Sequence, residues 1–280
     1  MKIMILGDLT DPSIQKLCQW LSSKDQDLFP IGSMDLDLVK HKMELFDPDI
    51  LHAFGLFSKI SDGLKHPHTV VSETAPKCVD TSMFKSGYSP YYRMFRDTQN
   101  TKVVLVIGSI SPGKFYDVIV KSIATIKEDY PEINFVFHNP GEDIAYQEEI
   151  KELAINLLVS DLIFSNGHVP YVRMPQIYNA ADAVIAIPTS ESVSSVVLEA
   201  LACEIPIIIS TKDNGNNYKL IPPAWCINLG DSYEISDTIV SIFKGSRYTH
   251  GRAIVQDSYE QEDVMNLLLS DYEKEILPCE

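Results

Sequence analysis

Long apolar runs are missing from this chain. No stretch approaches the ~18–20 consecutive apolar residues that a membrane-crossing helix needs, so no transmembrane segment is expected. The opening MKIMILGDLTDPS holds a short apolar core, but no small-residue cleavage site follows it. It reads as a first strand and not as a secretion leader. Cysteine is scarce as well. The five (Cys18, Cys78, Cys203, Cys226 and Cys279) are scattered and odd in number, and none forms a CxxC pair. With no histidine spacing to match, no zinc site is expected. Free thiols in a reducing, cytoplasmic setting are the expectation.

Basic residues are also few: 23 Lys and Arg stand against 39 Asp and Glu, a net charge of −16. The long-range field of such a chain repels nucleic acid and anionic lipid, which excludes indiscriminate binding to either but leaves room for a local basic patch. Internal repeats and low-complexity segments are absent. Neither GDLTDPS nor GSISPGK has the GxGxxG spacing that brings backbone against a dinucleotide pyrophosphate, so a nicotinamide site is disfavoured. SPGKF lacks the rest of a P-loop.

What the chain does have is alternation. Short β-type apolar runs exchange with helix-period runs, the pattern of α/β architecture with parallel sheets. Strands are expected at Lys2–Leu6, Asp27–Ile31, Ile50–Phe54 and Thr69–Ser72, with helices opened by Asp11-Pro12 and over about residues 34–45. A second series has strands at Val103–Ile107, Asn134–Phe137, Leu162–Phe164, Ala183–Ile187 and Ile205–Ser210. Helices are expected after Ser111-Pro112 and at Gln147–Leu157, Met174–Ala181, Ser194–Cys203 and about Glu262–Glu275. Between the series, residues 77–102 break the pattern. They carry five basic and two acidic residues with Tyr88, Tyr91, Tyr92 and Phe95, and read as a connector whose aromatics either pack against its neighbours or stack on a ligand.

One segment carries chemistry. SESVSSVVLEALACEIP places Glu191 in a loop after a parallel strand and Glu199 inside the apolar helix that follows. Loops at the carboxyl ends of parallel strands are where open α/β sheets bind ligands. The helix start at Ser194–Val196 offers free N–H groups and a positive dipole end, which suit a phosphate. Carboxylates beside an anion site are useful if they bond hydroxyls, as sugars and ribose require. The plain alternative for Glu199 is a solvated helix face, for Lys114 a solvated helix-start lysine, and for His168 a surface loop residue.

PTSESVSSVVLEALACEIPIIIS resembles the E-x7-E segment of retaining glycosyltransferases of family 4, and four more stretches follow that family in order: VDTSMFK, VVLVIGSISPGKFYDVIVKSI, GHVPYVRMPQIYNAADAVIAIPTSE and DNGNNYKLI, with DSYEQEDVMNLLLSDYEKE similar to its terminal helix. The resemblance implies an α/β GT-B fold, two Rossmann-like domains facing a cleft. It divides the chain into a reduced acceptor domain over 1–76, the connector 77–102, a nucleotide-sugar domain over 103–260 and a terminal helix over 261–280 that packs back on the first domain. It further implies a metal-independent transferase, hexosyl or pentosyl, that needs no cofactor beyond a nucleotide-diphosphate sugar, a UDP-sugar for preference. The implied acceptor is bulky, a glycan or lipid-linked sugar.

By the same resemblance, Glu191 holds the donor sugar, Glu199 the ribose hydroxyls, and Lys114 the diphosphate, with Gly108, Ser109, Ser194 and Ser195 lining the phosphate loops. Gly167, His168 and Val169 lie along the nucleobase, and His52 matches a family histidine, with a core histidine as its alternative. Two departures stand out. Ser109 replaces the family's diphosphate arginine, leaving Arg93, Arg96 and Arg173 as substitutes, and Glu204 stands where glycine is usual. Two other functions fit the reduced first domain: glycosylation of modified bases in bacteriophage DNA, and a non-catalytic nucleotide-sugar-binding subunit.

Overall fold

Lys2–Leu6 (β1), Asp27–Ile31 (β2), Ile50–Phe54 (β3) and Thr69–Ser72 (β4) form one all-parallel sheet in the order β2-β1-β3-β4. These are the bounds the residue pattern predicts. The computed structural model describes the chain apart from residues 25, 58, 60–62, 65, 73–76, 93–99, 139–142, 168, 188–194, 211–224, 246–249 and 277–280. It divides into two units, Met1–Lys77 with Gln261–Glu280, and Cys78–Glu260.

In the first unit, Pro12–Ser23 (α1) begins where Asp11 accepts a hydrogen bond from the Ser13 N–H at 2.7 Å. Leu36–Phe46 (α2) is capped in the same way by Asp35, which accepts from Asp37 and Leu38. A side-chain oxygen at this position satisfies N–H groups the helix cannot pair, typically worth ~1 kcal/mol. Met4, Leu6, Ile31, Val39, Leu51, Ala53 and Leu64 make one core cluster. The last helix of the chain belongs to this unit: in it Glu262 accepts from Trp20 Nε1 at 3.0 Å, and the Tyr272 hydroxyl meets His52 Nδ1.

The second unit holds, among the described residues, a six-stranded parallel sheet of Lys102–Ile107 (β5), Ile133–His138 (β6), Ile163–Gly167 (β7), Ala183–Ala186 (β8), Ile207–Ser210 (β9) and Trp225–Ile227 (β10). Their order, β10-β9-β8-β5-β6-β7, is the doubly wound order of a dinucleotide-type fold. The apolar run of β5 shows why. Val103, Leu105 and Ile107 enter one core cluster, Val104 and Val106 the other, so both faces are covered and neither alternate position is polar. Tyr116–Ile126 (α3), Ile144–Asn156 (α4) and Ser232–Lys244 (α7) cover one face. Met174–Ala180 (α5), Ser195–Ala202 (α6) and Gly251–Ser258 (α8) cover the other. Gln261–Ile276 (α9) is the terminal helix of the first unit.

Three differences from the sequence reading have physical causes. The helix expected from Ser111-Pro112 starts at Tyr116, because Gly113 (φ +80°) and Phe115 (φ +63°) take left-handed conformations that no α-helix contains. The strand β10 and helices α7 and α8 have no counterpart in that reading. A signal for α7 was present in Asp231, which caps it, and in Ile235, Ile239 and Ile242 at helical spacing. Residues 78–92, expected within a connector, group with the second unit: Phe84 is fully buried, and the Val79 N–H donates to the Tyr259 carbonyl at 2.9 Å. Tyr91 packs against the core there while Tyr88 stands exposed.

Candidate functional site

The strand order reverses between β5 and β8, and such a switch point, at the carboxyl ends of the strands, is where open α/β sheets bind ligands. Gly108 ends β5 with φ +148°, and a methyl group there would lie 2.5 Å from Ile187 Cβ, beside the end of β8. Only glycine lets the two strand ends approach so closely. The Gly108 carbonyl accepts from the Tyr116 hydroxyl at 2.6 Å, which ties the loop to α3. Ser109 is exposed and Lys114 half-buried on the turn between them, where the Lys114 N–H donates to the Ser111 carbonyl.

Ser195, half-buried, is the first residue of α6, and Glu199 lies one turn further along the same helix. Glu199 is 4% exposed. Its Oε1 accepts from the Tyr171 hydroxyl and its Oε2 from the Tyr178 hydroxyl, each at 2.9 Å. The solvated helix face considered for this residue is therefore not what the fold builds. Burial, and then the charge of Glu199, hold both phenols well above their ordinary pKa, so both stay protonated as donors. The carboxylate is acceptor-only. A carboxylate accepts from hydroxyl donors and repels phosphate.

Gly167 ends β7 with φ +60° and open space where a side chain would stand. Val169 is buried among Met174 and Ile177 and anchors the loop that follows. Arg173 is exposed on that loop. Glu191, His168 and Ser194, and the substitute cations Arg93 and Arg96, lie outside the described residues, as does DNGNNYKLI.

His52 belongs to the first unit. It is fully buried, stacked on Phe54 with ring centroids 3.9 Å apart, and its Nε2 meets Ser72 Oγ at 2.9 Å while Nδ1 meets the Tyr272 hydroxyl. Burial drives its pKa down to about 3, so the ring is neutral. A general base needs an edge that a substrate can reach. In this arrangement both ring nitrogens are taken up inside the core, which matches the core-histidine alternative.

Residue-by-residue reading of the sequence missed Tyr171 and Tyr178, whose aromatic character gives no hint of a carboxylate partner. It also missed Arg252, which donates to the carbonyls of Ala202, Phe84 and Thr81 and so closes the carboxyl end of α6. Cys203 follows α6, with its thiol pushed up to about 12 by burial, and is inert as a nucleophile. Among the described residues no group of three or more His, Cys, Asp or Glu is arranged to hold a metal ion, and no helix is long and apolar enough to cross a membrane.

Two parallel-sheet α/β units of Rossmann-like type are the architecture of the GT-B class of folds. Residues 95–246, more than half of the chain, match the family of glycosyl transferases group 1, and the chain belongs to that family. Among curated proteins it is 25% identical over 148 residues to mannosylfructose-phosphate synthase of Agrobacterium fabrum, covering 51% of this chain and 32% of that protein. It is 29% identical over 140 residues to D-inositol 3-phosphate glycosyltransferase of Acidothermus cellulolyticus, covering 48% and 31%. The alignments thus take in about a third of these relatives' length.

Among solved structures the fold is similar to sucrose-phosphate synthase of Thermosynechococcus elongatus (TM-score 0.80, 13% identity, 98% of each chain). It is similar also to Anabaena HepE solved in complex with UDP and glucose (TM-score 0.71, 13% identity, 98% of this chain and 99% of that one).

Proposed function

We propose that this protein is a retaining glycosyltransferase that moves a hexosyl or pentosyl group from a nucleotide-diphosphate sugar, a UDP-sugar for preference, to a hydroxyl of a bulky glycan or lipid-linked acceptor. The observation that carries the reading is the buried carboxylate of Glu199 beside the switch point of a doubly wound sheet. In this reading its oxygens accept from ribose hydroxyls.

In this reading the diphosphate rests on the turn from Gly108 and Ser109 to Lys114 and on the helix start at Ser194 and Ser195. Lys114 neutralises the charge that develops on the leaving diphosphate, in place of a metal ion. Glu191, paired with Glu199 in the E-x7-E spacing, holds hydroxyls of the transferred sugar. Gly167, His168 and Val169 flank the base, where the missing side chain of Gly167 leaves room for a flat ring. Arg173 is the described cation available to stand in for the arginine that Ser109 replaces. A first domain that is short by the family's measure suits a bulky acceptor. His52 is given no chemical step, since its ring is enclosed.

The test is a thermal-shift panel of UDP-, GDP- and ADP-sugars on wild type and Glu199→Gln, because a ligand bound to the native state raises the melting temperature. One donor should stabilise the wild type and bind Glu199→Gln at least about tenfold more weakly, the size of a lost charged hydrogen bond. Equal affinity in both proteins removes the ribose role.

A further inference from the structure

The two tyrosines on Glu199 are not equivalent. Tyr178 is fully buried within α5, packed edge-on to Phe84 with centroids 6.1 Å apart. Moving it would open the core. Tyr171 sits in a three-residue turn, Tyr171–Arg173, between β7 and α5, and is 39% exposed although its hydroxyl reaches inward to Oε1. Its ring also lies against Phe84 with centroids 5.5 Å apart, so moving it gives up that contact but leaves the strands of the sheet in place. Glu199 itself is almost closed to solvent, so a ribose reaches it only when something beside it yields. Of the two tyrosines, Tyr171 is the one with exposed surface to move into.

We infer that Tyr178 is a fixed positioning residue for Glu199, and that the Tyr171 hydroxyl occupies the place of a ribose hydroxyl until a nucleotide displaces it. Each side of that exchange has one hydroxyl on one carboxylate oxygen, so the buried charge is bonded before and after. The bond to Tyr171 is broken on binding and therefore subtracts from nucleotide affinity; the bond to Tyr178 is kept and supports it. The exchange also selects its ligand. A nucleotide without 2′ and 3′ hydroxyls has nothing to offer Oε1 and leaves Tyr171 in place. The inference rests on the ribose role of Glu199 proposed above.

Isothermal titration of wild type, Tyr171→Phe, Tyr178→Phe and Glu199→Gln tests it, with UDP, GDP and ADP run first to find the diphosphate that binds and its 2′,3′-dideoxy analogue used thereafter. Tyr171→Phe should bind the ribonucleotide about two- to tenfold more tightly than wild type, the worth of one net hydrogen bond, and bind the dideoxy analogue unchanged. Tyr178→Phe should bind the ribonucleotide more weakly. A merely structural role for Tyr171 would shift both nucleotides alike. Tyr171→Phe that weakens or leaves unchanged the ribonucleotide, while Glu199→Gln still weakens it, overturns the exchange and leaves the ribose role standing. Unchanged binding in Glu199→Gln, or no binding of any of the three diphosphates, overturns the ribose role and the exchange with it.

Discussion

Gly108 and Ile187 touch across the point where the sheet of the second unit reverses, with room for a hydrogen on Gly108 and none for a methyl group. Gly108→Ala should therefore strain φ +148° and drive Cβ into a branched side chain at its own Cβ, which cannot rotate away. A loss of about 2–4 kcal/mol is expected, measured by urea denaturation. A variant as stable as wild type would show that the strand ends are free to separate.

Glu204 illustrates the opposite case, a strained residue that the fold tolerates. It follows α6 with φ +60°. The Ile205 N–H returns to the Ala200 carbonyl at 3.0 Å and the Glu204 N–H to Leu201 at 2.9 Å, the paired bonds that close a helix through a left-handed residue. The Ser86 hydroxyl donates to the Cys203 carbonyl at 2.9 Å and reaches Glu204 Oε2 at 3.2 Å, a partial compensation. Glu204→Gly should stabilise the protein by about 0.5–1 kcal/mol, the relief of left-handed strain less the added chain entropy. A lower melting temperature would mean that the Ser86 contact outweighs the strain.

His52 gives the first unit a pH dependence. Its folded pKa lies at about 3, below its ordinary 6.5, so between those values the unfolded chain binds the proton and the folded one does not. Stability from this group is complete above pH 6.5 and falls as pH drops toward 3. The slope reaches at most about 1.4 kcal/mol per pH unit. Denaturation of wild type and His52→Gln across that range should show the steeper decline in wild type. Parallel curves would place the imidazole in contact with water.

In the proposed function Lys114 acts on the leaving group and not in ground-state binding. Lys114→Ala should lower kcat by more than it raises the donor Kd, since the charge it meets grows in the transition state. The reverse split would make it an ordinary phosphate anchor.

The residue pattern was sufficient for the parallel α/β character, because a strand buried on both faces must be apolar at every position, as in Val103–Ile107, and it also placed the four strands of the first unit. It also sufficed for the helix start at Asp11-Pro12, a local matter of backbone and neighbouring side chains, while the position of Glu204 stood out only through the family resemblance. It fell short at Ser111–Phe115, where the left-handed geometry of Phe115 overrides a Ser-Pro start signal, and at β10, too short to show a period.

What only the tertiary structure decided is which groups meet. The hydroxyls of Tyr171 and Tyr178 converge on Glu199 from 28 and 21 residues away. Tyr272 closes on His52 across 220 residues, and Arg252 finds three carbonyls contributed by distant segments. Periodicity reports how one element meets solvent and core. The pairing of a buried charge with its donors depends on the order in which strands and helices stack, and that order is not written in any single stretch of chain.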